Sequence, residues 1–171
     1  KHTGVAEFAV HVIGRSAHIS RLHRGVNAIS KMTKVIHVLE TLELRGDRDP
    51  DLPDLPLRLV GSIIGGRGRE WELRGPNIVP DFCSVFVDVC FPSSMTPESV
   101  LQDVREGLDS LRRSDPDLQY EIEFPMKPER RAVREVMPAL SVPTDHPLIQ
   151  TLRANVRSIV GVDPTVGAVV P

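Results

Sequence analysis

Hydrophobic and polar residues alternate from Val5 to Ile13. Ala6, Phe8, Val10 and Val12 share one face, with Glu7 and His11 on the other. That period of two predicts a half-buried strand, ended by Gly14. A polar loop from Arg15 to Arg24 follows, holding His18 and His23. From Gly25 to Leu42 the period turns helical: Ile29, Met32, Ile36 and Leu39 step by three and four residues, and Val35 and Leu42 widen the stripe. After the Asp- and Pro-rich loop 46–56, residues Leu57 to Ile64 read as a second strand, broken by Gly65-Gly66-Arg67-Gly68. Pro76 and Pro80 bracket Asn77, so a ladder strand begins only after Pro80. That strand, Phe82 to Phe91, is apolar on both faces apart from Ser84 and Asp88, the pattern of a central strand.

The second helix is punctuated clearly. Thr96 suits the N-cap, Pro97 the first helical position and Glu98 the positive end of the dipole. Val100, Val104, Leu108 and Leu111 mark its buried stripe, and Asp115-Pro116 stops it. Leu118, Tyr120, Ile122 and Phe124 then alternate with polar residues as a fourth strand. The order β-α-β-β-α-β predicts an α+β, ferredoxin-like domain: a four-stranded antiparallel sheet with both helices on one face. The strand at 57–64 falls at an edge of that sheet. Residues 126–143 show no clear period. A third helix is predicted over 146–160, with Leu148, Leu152, Val156 and Ile159 as its stripe, and a short strand over 166–170. This helix and strand follow a complete domain and read as the start of something else.

Composition narrows the function. The net charge of −2, from 21 basic and 23 acidic residues, gives no global field for nucleic acid or an anionic membrane. Aromatic residues make up only 4% of the chain, too few to stack a run of bases. No apolar run approaches the roughly 18 residues of a membrane span. Lys1-His2-Thr3-Gly4-Val5 has no signal-peptide shape and enters the strand pattern at once, as though cut just upstream. Cys83 and Cys90 point to opposite faces of one strand, which makes a disulfide between them implausible. Two thiols without a framework point to a reducing compartment, the cytoplasm.

The chain's own chemistry is sparse. It has six histidines but no His-x-Asp, no His-Glu-x-x-His and no cysteine pair at zinc spacing, so no metal site is expected. No Gly-x-Ser-x-Gly elbow is present. The glycines at 65–68 lack the Lys-Ser/Thr ending of a phosphate loop and read as a hairpin. His18 lies between a strand and a helix, in Gly14-Arg15-Ser16-Ala17-His18-Ile19-Ser20, with Gly25-Val26-Asn27-Ala28-Ile29 just beyond.

Those two strings, followed by Gly-Gly, by Asn77-Ile78-Val79-Pro80-Asp81, by Val87-Asp88-Val89 and by a Pro-x-x-x-Thr-Pro-Glu segment, resemble one family. It is the two-zinc metallopeptidase family of acetylornithine deacetylase, succinyl-diaminopimelate desuccinylase, aminoacylase and the glutamate-releasing carboxypeptidases. The resemblance covers residues 1–125 and implies the family's lid or dimerisation domain, with 126–171 as linker and partial return into the catalytic domain. It implies a homodimer acting on a small-molecule amide or peptide substrate. Two zinc ions would sit in the parent enzyme's other domain and none on this fragment, which alone would be inactive. In the family the histidine matching His18 reaches the partner's active site and stabilises the oxyanion, and the asparagine matching Asn77 contacts substrate. Cys90 stands where many members carry an arginine that clamps a substrate carboxylate, and a thiol makes no bidentate pair. Either the substrate lacks that carboxylate, or Arg67, Arg69 or Arg74 replaces the clamp. The stretch between Gly66 and Asn77, with Trp71, reads equally as a solvated hairpin and as a substrate-facing extension. A stand-alone ferredoxin-like regulatory or ligand-binding module is the alternative, which the fold alone does not exclude.

Overall fold

The computed structural model describes residues 1–69, 77–131 and 136–170. Its elements are β1 (Gly4–Ile13), α1 (Ala28–Thr41), β2 (Leu57–Gly66), β3 (Phe82–Phe91), α2 (Pro97–Ser114), β4 (Gln119–Glu123) and α3 (Pro147–Val160). The four strands form one antiparallel sheet in the order β2-β3-β1-β4. With α1 and α2 packed on one face, this is the βαββαβ architecture expected from the sequence, and β2 is an edge strand.

The main core lies between helices and sheet. Phe8, Val10 and Val12 of β1 meet Val85, Val87 and Val89 of β3, and over them lie Met32 and Val35 of α1 and Val100, Val104 and Leu108 of α2. Local chemistry bounds α2 where the sequence placed it. Thr96 accepts from the Ser99 N–H while the Ser99 hydroxyl accepts from the Thr96 N–H, a reciprocal cap ahead of Pro97. The buried Asp103 of α2 accepts from the Arg45 N–H at 2.7 Å and pairs with the Arg45 guanidinium, fixing the loop after α1.

Four expectations are corrected. The buried stripe of α1 is Ala28, Met32, Val35 and Leu39, while Ile29 is 38% exposed. The small Ala28 takes the inward position because its N–H donates to the Pro80 carbonyl, which sets the rotation of the first turn. Second, β2 does not stop at Ile64: Gly65 and Gly66 pair with Cys83 and Phe82, because the ladder to β3 outweighs the weak strand preference of glycine. Third, β1 is buried on both faces. Met137 and Leu140 bond the start of β1 and the residue ahead of it, through Val5 N–Met137 O and His2 N–Leu140 O, and Met126 is buried. Fourth, the strand expected over 166–170 is a single parallel bridge from Val169 to His2. The helix α3 forms as expected, yet none of its residues is buried.

The two helices are latched through Asp115 at the end of α2, which holds Lys31 and Lys34 of α1 at 2.5 and 2.7 Å. Lys31 and then Lys34 keep its carboxyl below the ordinary carboxylate range. A carboxyl lowered by folding adds stability above its unfolded pKa of about 3.9 and loses it as pH falls through the folded value. Asp115→Asn is therefore expected to lower the melting temperature modestly near neutral pH, with the gap to wild type closing as pH falls below the ordinary carboxylate range. A gap that persists unchanged into acid would rule out the ion-pair account. Phe8→Ala, at the centre of the core, is expected to cost about 3–5 kcal/mol in denaturant unfolding.

Candidate functional site

The loops at one end of the sheet form a single knitted cluster. Beyond β1, Gly14 donates its N–H to the Asp81 carbonyl, and Arg15 and Val26 exchange two backbone hydrogen bonds of 2.9 Å. The turn they close contains His18. A Cβ at Gly14 would stand 2.2 Å from the Val26 carbonyl oxygen, so only glycine lets the two strands of the loop approach this closely. Asn27 caps α1, accepting from the Ile29 and Ser30 N–H groups at 3.0 and 3.1 Å.

The second loop enters from the other side. Val79 donates to the Ala17 carbonyl at 2.8 Å and Ile19 to the Asn77 carbonyl at 2.9 Å, placing His18 opposite Ile78 in a short antiparallel bridge. Pro80 cannot donate, but its carbonyl receives the Ala28 N–H, and the Asp81 carboxylate receives the Gly68 N–H at 2.8 Å. Asn77 and Val79 therefore bond the His18 loop itself, while Pro80 and Asp81 bond the first turn of α1 and the end of β1 on either side of it. His18 and Asn77, adjacent here, are both exposed.

The ring of His18 is oriented. Its Nδ1 accepts the Ser20 N–H at 3.2 Å, with the Ser20 hydroxyl at 2.9 Å. A ring nitrogen that accepts carries no proton, so in the neutral ring the proton is on Nε2, which is left as the donor. The short 3-10 turn Ile19–Arg24 starts from this cap.

Cys90 lies elsewhere. Phe82 pairs with Ile13 at the His18 end, whereas Cys90 pairs with Val5 and Leu57 at the other. Eight residues of strand separate Phe82 from Cys90, roughly 26 Å at ~3.3 Å per residue. Burial first, and then the Asp88 carboxylate on the same face, raises the Cys90 thiol, with the Thr3 hydroxyl opposing them. Burial and then Glu7, its cross-strand neighbour, raise the Asp88 carboxyl, whose Oδ1 is buried without a hydrogen-bond partner among the described residues. Cys83, on the helix side, is pushed up to about 11 by burial. Both cysteines are free thiols. Of the alternative arginines, Arg69 is committed: it pairs with Glu121 at 3.0 Å and stacks 4.9 Å over Phe82. Arg67 is exposed. Trp71 and Arg74 lie outside the described residues.

One cluster went unread in the sequence. On the sheet face away from the helices, His11 Nδ1 lies 2.7 Å from the Ser84 hydroxyl and Nε2 lies 3.0 Å from Glu123 Oε2, with the ring stacked on Phe82. Burial pushes Glu123 up, but His11, the Lys127 N–H and Arg130 outweigh it and hold the carboxyl below its usual range. The spacing imitates a serine–histidine–carboxylate relay, yet Ser84 is fully buried and no substrate reaches it. Its role is to satisfy polar groups beneath the returning chain. Among the described residues, no group of three or more His, Cys, Asp or Glu side chains is placed to hold a metal ion, and no helix is long and apolar enough to cross a membrane.

The peptidase dimerisation domain model matches residues 1–116, which carry the whole knitted cluster. The chain belongs to the M20 peptidase dimerisation domain family. Its fold matches solved structures across nearly its full length. Aminopeptidase PepT from Bacillus cereus ATCC 10987 aligns with a TM-score of 0.64 and 16% identity, over 99% of this chain and 39% of that one. A tripeptidase from Staphylococcus aureus subsp. aureus Mu50 aligns with a TM-score of 0.62 and 18% identity, over 99% and 38%. An amidase of the hydantoinase/carbamoylase family from Burkholderia vietnamiensis aligns at 0.59 and 16%, over 99% and 35%. The chain thus spans less than two fifths of the length of these structures. No curated protein matches it.

The cluster makes a direct forecast. Gly14→Ala is expected to force the Arg15–Val26 bridge apart and cost about 1–3 kcal/mol. Amide exchange at the Ile19 and Val79 N–H groups is expected to quicken as well. Unchanged exchange at those two amides would show that the two loops are not mechanically linked.

Proposed function

We propose that this M20 domain is the lid and dimerisation part of a zinc-dependent amidohydrolase or peptidase, a homodimer that hydrolyses amide bonds of N-acyl amino acids or small peptides. The observation that carries the reading is the held ring of His18. With Nδ1 accepting from the Ser20 N–H, Nε2–H projects from an exposed loop as a fixed donor. A donor fixed before the reaction stabilises an oxyanion without reorganising as charge develops. In this reading His18 serves the partner's active site in trans, and Asn77, bonded to the same loop, presents its amide to substrate. The metal-bearing domain of the parent would supply the Lewis acid and the activated water. The fragment alone is then inactive. Peptidases and an amidase among the structural matches support an amide as the scissile bond.

Dimerisation is supported by the edge strand. Leu57, Leu59, Ile63 and Ile64 of β2 are 46%, 63%, 53% and 40% exposed, and Ile29 of α1 adjoins them. An apolar edge of this kind is normally covered or paired. Pairing β2 with its twofold copy would extend the sheet and cover the strip with one isologous contact.

In the full-length parent, His18→Ala is expected to reduce kcat by about 10²–10³ with zinc content unchanged, measured by steady-state kinetics beside metal analysis. An unaltered kcat in the zinc-loaded variant would remove His18 from the chemistry.

A further inference from the structure

Two histidines of this chain open a helical turn by the same device. His18 precedes the 3-10 turn Ile19–Arg24, and its Nδ1 accepts the Ser20 N–H at 3.2 Å. His146 precedes α3, and its Nδ1 accepts the Leu148 N–H at 3.2 Å. A backbone amide can only donate, so in both rings Nδ1 carries no proton. Both residues are exposed. They differ in one group. The second residue after His18 is a serine, and its Oγ lies 2.9 Å from the same Nδ1. The second residue after His146 is Leu148, which brings no polar side-chain atom. The backbone contact is thus ordinary capping in this chain, and the hydroxyl is what sets His18 apart.

The direction of the extra hydrogen bond follows from the first one. With Nδ1 held as an acceptor, the ring has no proton there to give, so the Ser20 hydroxyl is the donor. That hydroxyl has no other partner among the described residues, and neither does His18 Nε2. Two donors therefore share one lone pair, the hydroxyl being the nearer, and the single ring proton faces outward on Nε2. Hydrogen bonds in series polarise one another, so donation into Nδ1 makes Nε2–H a stronger donor. The hydroxyl also opposes a flip of the ring about Cβ–Cγ, a torsion that is otherwise broad and roughly two-fold. A flipped ring would turn a C–H toward Ser20 and lose both bonds.

We infer that Ser20 is a positioning residue for the proposed hydrolysis: its hydroxyl, acting through Nδ1, strengthens and aims the His18 Nε2–H donor. This rests on the reading of His18 as the oxyanion donor and names the group that tunes it. Such a gain grows as charge develops on the oxyanion, so it belongs to kcat and not to KM. The test uses the zinc-loaded full-length parent with two probes, an N-acetyl amino acid and a dipeptide. Ser20→Ala removes an exposed hydroxyl and keeps the backbone N–H, so the turn should survive. It is expected to lower kcat by about three- to tenfold with KM unchanged. Ser20→Thr keeps a hydroxyl and should recover most of kcat, whereas Ser20→Cys, a weak donor, should not. Ring-nitrogen NMR of histidine-labelled protein reads the bond itself: the His18 Nδ1 resonance should move in Ser20→Ala while that of His146 stays in place. An unaltered kcat in Ser20→Ala, a loss that Ser20→Thr repeats, a change confined to KM, or a His18 resonance indifferent to the substitution would each overturn the inference. Turnover of neither probe by wild type would instead overturn the hydrolase reading, and is told apart because it needs no variant.

Discussion

Val79 N–H to Ala17 O and Ile19 N–H to Asn77 O join two loops that are distant along the chain, with α1 and β2 between them. Everything distinctive about this end of the molecule depends on that pairing. Without it the Arg15–Arg24 segment would be a polar turn projecting from a strand, free to sample many conformations at roughly 1–2 kcal/mol of backbone entropy per residue. With it, the histidine is bracketed on both sides by ladder contacts, and its ring is oriented by the next turn. The pairing depends in turn on Pro80 and Asp81, whose carbonyls anchor the first turn of α1 and the end of β1. The strings around His18, Gly25–Ile29, Gly65–Gly66 and Asn77–Asp81 are thus gathered at one end of the sheet, while Val87-Asp88-Val89 pairs toward the other.

The sheet supplies the rigid base. One face is a conventional apolar core under two amphipathic helices. The other carries His11, Ser84, Glu7 and Glu123, and the returning chain bonds along the start of β1 and packs Met126 inward. A polar face under cover is stable only when its groups find partners, and the His11 ring, bonded at both nitrogens, meets that condition. Asp88 Oδ1 does not, and its raised carboxyl is the local sign of that cost.

Much of this was legible in the amino-acid order, for reasons that differ by element. The α2 boundaries were readable because Thr96, Pro97 and Asp115 act locally. The strand order followed from the alternation of β and α periods. The rotation of α1 was not readable, because the hydrogen bond from Ala28 to Pro80 is a long-range contact that overrides the bulk of Ile29. The second buried face of β1 was hidden for the same reason: Glu7 and His11 look solvent-facing until the chain comes back over them. His18 and Asn77 were singled out by resemblance, but their adjacency is a property of the fold. The separation of Cys90 from them came only with the register.

The bare stripe of α3 has a consequence for how the chain behaves as a solute. Leu148, Leu152, Val156 and Ile159 are 57%, 52%, 38% and 83% exposed. A net charge of only −2 offers little mutual repulsion near neutral pH, where the sequence pI of about 6.3 lies close by. A sticky ridge on a weakly charged particle makes colloidal behaviour a function of concentration, salt and distance from the isoelectric point. For this chain, handling conditions and molecular associations are therefore the same physical problem.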